Sequence, residues 1–178
     1  MTAAHTADAF LLSAKTALAH AAPAMPHALW PVTAFVLFVL AVTAAIDARR
    51  HIVPDNWIFL GFVILTGALG FYGSWDMAAH HLRIGIEAGL VVWAVNFIWF
   101  LIFARDALGM GDGKWTALAV SCFGVVPAVF AWGAGACLGV LSLTGKFIAR
   151  RPAQRVAFAP FLFVGLIAGL YWLRFRPF

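Results

Sequence analysis

Residues 30–47 read WPVTAFVLFVLAVTAAID, an apolar run that opens on a Trp-Pro pair, closes on a carboxylate and is followed at once by Arg49 and Arg50. At 1.5 Å per residue such a run is long enough to approach the roughly 30 Å of a bilayer's hydrocarbon core. Pro31 suits a first helical turn, and Trp30 favours a membrane interface. Similar runs recur along the chain. The 178 residues are 64% hydrophobic and only 11% charged, against about a quarter charged in a soluble domain. An ordinary soluble fold is thereby excluded, and the expected class is an all-α, polytopic membrane protein with about six transmembrane helices.

Working outward, a second helix is expected over Trp57–Tyr72, with Asp55 or Asn56 after Pro54 as its cap. A polar loop is expected over Gly73–Arg83, then a third helix over Ile84–Ala104 that carries Glu87 and Asn96. The run from Trp115 to Leu143 is too long for one crossing. Gly124 and Pro127 divide it into a helix over Lys114–Phe123 and another over Val125–Thr144. A sixth helix is expected over Phe158–Leu173. Residues 30–178 thus form one transmembrane domain, preceded by a flexible or interfacial leader over residues 1–29. Asp8, with no Lys or Arg before the apolar patch at Phe10–Leu12, speaks against a signal peptide there.

The net charge of +5 suggests nucleic acid only until its residues are placed, because they flank the apolar runs. Six crossings put Arg49, Arg50, Arg105, Lys114, Lys146, Arg150, Arg151 and Arg155 on one face and Lys15, Arg83, Arg174 and Arg176 on the other. The positive-inside rule makes the first face cytoplasmic. The expected partner is therefore the lipid bilayer and not nucleic acid, with both termini periplasmic.

Two carboxylates stand out. Asp47 ends an apolar helix, where an ionisable group is a functional candidate or else the partner of Arg49 or Arg50. Asp112 lies in GMGDGK, where Gly109, Gly111 and Gly113 allow tight turning and close approach of another chain. The six-helix topology brings both to one membrane face, the minimum geometry for two carboxylates to share a proton and hold a water. Cys122 and Cys137 lack C-x-x-C spacing and are expected to be packing residues. His80 and His81 fall in the expected loop. No His, Cys and carboxylate cluster offers ligand spacing, so neither metal nor other cofactor is expected.

The pattern D-x6-P-D-N, from Asp47 through Pro54, Asp55 and Asn56, and the pattern G-x-G-D-x-K, Gly109 to Lys114, resemble the two signature motifs of the type IV prepilin peptidases. FAPFLFVG, Phe158 to Gly165, is similar to that family's closing segment. The resemblance covers nearly all of the chain from Trp30 onward. It implies a GxGD-class aspartic endopeptidase of the bacterial inner membrane, with Asp47 and Asp112 catalytic, that removes the basic leader of prepilins or pseudopilins at the cytoplasmic face. Larger members also carry a cytoplasmic domain with paired C-x-x-C motifs and N-methylate the product. Nothing here corresponds to that domain, so the chain resembles the minimal form associated with tight-adherence pili. Asp55 reads as a cap and Lys114 as a border residue that tunes Asp112. A proton-coupled transporter using Asp47 and Glu87, or a structural subunit of a secretion machine, are the rival classes. The transporter reading lacks internal repeats.

Overall fold

The computed structural model describes residues 29–104, 109–148 and 157–174. Among these residues the chain is all-helical: α1 Trp30–Arg50, α2 Asp55–Tyr72, α3 Trp75–Phe103, α4 Met110–Phe123, α5 Val125–Ile148 and α6 Ala159–Arg174. Four of the six, α1, α2, α3 and α5, are long and apolar enough to cross a membrane. At 14 and 16 residues, α4 and α6 are shorter, about 21 and 24 Å. The leader over residues 1–28 lies outside the described residues, as do Arg105, Arg150, Arg151, Arg155 and Arg176 of the charge count.

Where the boundaries follow the sequence, local chemistry explains them. Pro31 sits in the first turn of α1. The break inside the long apolar run falls at Gly124, whose φ of +81° only glycine adopts without strain. Pro127 sits in the first turn of α5, where no intrahelical N–H is needed.

Four expectations need correction. The polar loop over Gly73–Arg83 shrinks to Gly73 and Ser74. Ser74 Oγ accepts from the Met77 N–H at 3.1 Å and starts α3 at Trp75. His80 and His81 are therefore helical. Asp55 and Asn56 do not cap α2: Pro54 is the N-cap residue, without a side-chain hydrogen bond, and Asp55 is already helical. Asp112 belongs to the first turn of α4 and not to a preceding loop, because that helix begins at Met110. Finally, Cys122 is buried as expected of a packing residue, but Cys137 is exposed on α5.

Small residues set the closest helix contacts, as in membrane bundles generally. Gly85 and Gly89 of α3 face Gly113, Ala117 and Ser121 of α4; a Cβ at Gly85 would overlap Ser121 Oγ and approach the Ala117 carbonyl to 2.5 Å. Gly165 and Gly169 play the same part for α6 against Ala131 and Phe130 of α5. The core between these pairs holds Val36, Val39 and Leu40 of α1, Leu65 and Leu69 of α2, Trp115 and Leu118 of α4, and Leu162 and Leu166 of α6. α4 is thereby enclosed, with every residue from Trp115 to Cys122 buried.

Candidate active site

The Trp115 indole sets the register of α4 on α1. Its N–H, which needs a partner once buried, donates to the Leu40 carbonyl at 3.3 Å. Asp47 lies seven residues beyond Leu40, two helical turns along the same face, and Asp112 lies one turn before Trp115. α1 and α4 run antiparallel, so this contact carries both carboxylates to the same end of the bundle. Both are buried, at 7% and 5% exposure, in a chain whose other described acids, Asp55, Asp76 and Glu87, are exposed. The two carboxyl groups lie within electrostatic reach of one another.

Each carboxylate also meets the N-terminus of a short helix. The first N–H groups of a helix lack intrahelical acceptors and carry the positive end of its dipole. Asp112 Oδ2 accepts from the Gly109 N–H at 3.0 Å, at the start of its own helix. Gly109 has no side chain to complete a capping box, so this bond is one-sided. Asp47 Oδ2 accepts from the Ala159 N–H at 3.2 Å, the first residue of α6. Two carboxyl groups are thus set at one end of the bundle, each accepting a backbone N–H at a helix start, and among the described residues neither forms an ion pair with Arg or Lys. Arg49 and Arg50 point outward, exposed at the end of α1, whose C-terminus closes on His51 in the left-handed region.

A second polar chain ties the site together from behind. Thr116 Oγ1 donates to the Asp112 carbonyl at 2.7 Å and accepts the Trp132 indole N–H of α5 at 3.1 Å. The Trp132 ring rests on Phe158, with centroids 5.3 Å apart, and Phe158 immediately precedes the Ala159 donor. α4, α5, α6 and α1 are therefore linked around the two carboxylates by contiguous contacts.

The remaining motif residues frame the opening. Gly111 faces Val53, and a Cβ there would stand 2.7 Å from the Val53 side chain. The connection between α1 and α2 thus lies directly against the start of α4. Lys114 Nζ donates to Asp55 Oδ1 at 2.7 Å, Asp55 largely and Lys114 partly exposed, so Lys114 pairs with Asp55 and joins the D-x6-P-D-N motif to the G-x-G-D-x-K motif. Pro54 and Asn56 flank that pair, and Gly113 packs against Gly89 and Val92 of α3.

Glu87 is paired with Arg83 at 2.7 Å on the exposed face of α3. His81 Nδ1, facing a carbonyl, donates to Ser121 O at 2.9 Å at the other end of α4. Neither residue takes part in the site. Thr116, Trp132 and Ala159 do, and the sequence reading named none of them individually. The signal for Trp132 was its polar N–H on an apolar helix, and that for Ala159 was its place in FAPFLFVG. Among the described residues no three His, Cys, Asp or Glu side chains gather as a metal site. Comparison of the chain with protein-family models, with curated proteins and with solved structures finds no match.

Proposed function

We propose that the chain is a prepilin leader peptidase, a membrane-embedded aspartic endopeptidase of the GxGD class that cleaves type IV-like prepilins or pseudopilins at the cytoplasmic face of the bacterial inner membrane. The observation that supports this reading most is the pairing of Asp47 and Asp112. They are 65 positions apart in sequence, buried on antiparallel helices and each held by a helix N-terminus. Structural carboxylates would more simply be neutralised by the cations nearby, Arg49, Arg50 and Lys114, yet none of these bonds either one.

In the proposed mechanism one carboxylate, ionised, takes a proton from a water whose oxygen attacks the scissile carbonyl carbon. The other, protonated, hydrogen-bonds the carbonyl oxygen as negative charge develops there. Collapse of the tetrahedral intermediate breaks the C–N bond, and a proton passes from the carboxyl pair to the leaving amine. The fixed N–H groups of Gly109 and Ala159 hold the two carboxylates in place throughout, which is the preorganisation such catalysis needs.

The test is direct. The purified protein in proteoliposomes is mixed with a synthetic prepilin carrying a basic leader and an apolar segment, and the products are read by mass. A single cut between leader and apolar segment supports the reading. An intact substrate across a panel of such prepilins contradicts it.

A further inference from the structure

The helices do not end at one level beside the aspartates. Gly113, next to Asp112, touches Gly89 and Val92 of α3, yet α3 continues to Phe103. The remaining turns carry it roughly 15 Å past the aspartate level at 1.5 Å per residue. α5 does the same on a smaller scale: Phe158, at the start of α6, packs on Gly135 and Gly139, whereas α5 runs on to Ile148. Both extensions leave the bundle at its aspartate end.

The α3 extension is exposed on every side. Each residue from Phe97 to Ala104 is exposed, including Trp99, Phe100, Leu101, Ile102 and Phe103. Eight consecutive residues cover more than two turns, so no single partner face could cover them. From Ala88 to Phe103 there is no charged side chain over 16 residues, about 24 Å, and the exposed Arg83–Glu87 ion pair immediately precedes this stretch. Hydrocarbon is the one surrounding that such a segment fits.

The α1–α2 side demands the reverse at the aspartate level. Arg49, Arg50, His51, Asp55, Asn56 and Lys114 are all exposed there, and charges on an outer face require water. We infer that the aspartate pair lies at the floor of a water-filled recess, open on the α1–α2 side and walled on the α3 side by lipid-embedded helix. The bilayer border stands about 15 Å further out along α3 than along α1 and α2. The recess stands apart from the peptidase reading, but it serves it: water reaches the carboxylates, and an unwound substrate backbone is hydrated where open hydrocarbon would forbid it.

The test uses single cysteines in the full chain with Cys122→Ala and Cys137→Ala, reconstituted in lipid. Ile52→Cys and Met110→Cys probe the recess floor, and Phe100→Cys and Leu101→Cys probe the α3 extension; all four native residues are exposed. A charged, membrane-impermeant methanethiosulfonate applied to both faces should modify the floor positions at least ten times faster than the extension positions. All four should react alike after unfolding in detergent and urea. A bimane label on Leu101→Cys should be quenched by lipids brominated on their acyl chains. Equal, fast modification at Leu101→Cys and Met110→Cys would overturn the inference, as would slow modification at both Ile52→Cys and Met110→Cys. So would an unquenched label at Leu101→Cys, which would mean that something other than lipid covers α3.

Discussion

The N–H of Ala159 donates to the Asp47 carboxylate across 112 residues of sequence, at 3.2 Å in the buried interior of the bundle. It is the contact by which the last described helix completes a site that two earlier motifs begin. A buried hydrogen bond to a charged group contributes about 1.5–3 kcal/mol. Ala159→Pro removes the donor and keeps a residue favoured at a helix start. We expect the rate of leader cleavage to fall about ten- to a hundredfold while the protein still inserts, measured on purified variant in proteoliposomes. An unchanged rate would remove α6 from the site.

Thr116 is a relay with both ends occupied, by the Asp112 carbonyl and the Trp132 indole. Thr116→Val preserves the shape and strands the indole N–H, at a cost of about 1–3 kcal/mol; Thr116→Ser keeps the hydroxyl. Thermal unfolding in mild detergent should show the Val variant melting lower and the Ser variant close to the parent. Equal melting of the two would mean that the hydroxyl contributes nothing.

Gly111 and Val53 form a steric pair, since a Cβ at Gly111 would stand 2.7 Å from the Val53 side chain. Overpacking of this kind costs about 1–3 kcal/mol. Gly111→Ala should slow cleavage by displacing the turn that carries Asp112, and adding Val53→Gly should recover most of the loss. A double variant no better than Gly111→Ala alone would place the defect in the backbone of α4.

Asp55 and Lys114 meet at the exposed rim. An exposed pair is worth about 0.2–1 kcal/mol and weakens with salt. Asp55→Asn should therefore change stability by under about 1 kcal/mol and leave cleavage within a fewfold of the parent. A loss as complete as that of a buried-aspartate variant would make Asp55 part of the chemistry.

The sequence made α1 legible because its apolar run is bounded by Pro31 and by Arg49, and it made the α4–α5 break legible because Gly124 and Pro127 have specific backbone requirements. The start of α3 was not legible. Asp76, His80 and Arg83 give that stretch the polarity of a loop, whereas the Ser74 cap and the packing of Ala78 and Gly85 make it helix. Capping by Asp55 failed for a local reason: Pro54 already occupies the N-cap position. Of the site, the two acids could be read as letters. The N–H groups of Gly109 and Ala159 could not, because every non-proline residue has one and only the fold decides which are left without a helical partner.

The pairing of Asp47 with Asp112 is tested most directly by the rate at which the Asp47→Asn and Asp112→Asn variants cut a synthetic prepilin, each compared with the parent protein at equal membrane insertion. Asn keeps the size of the side chain and removes its ability to take or give the catalytic proton. The account predicts that either change alone abolishes cleavage and that the double variant is no worse, as expected of two groups acting as one unit. Normal cleavage by Asp112→Asn, or by Asp47→Asn, would contradict it.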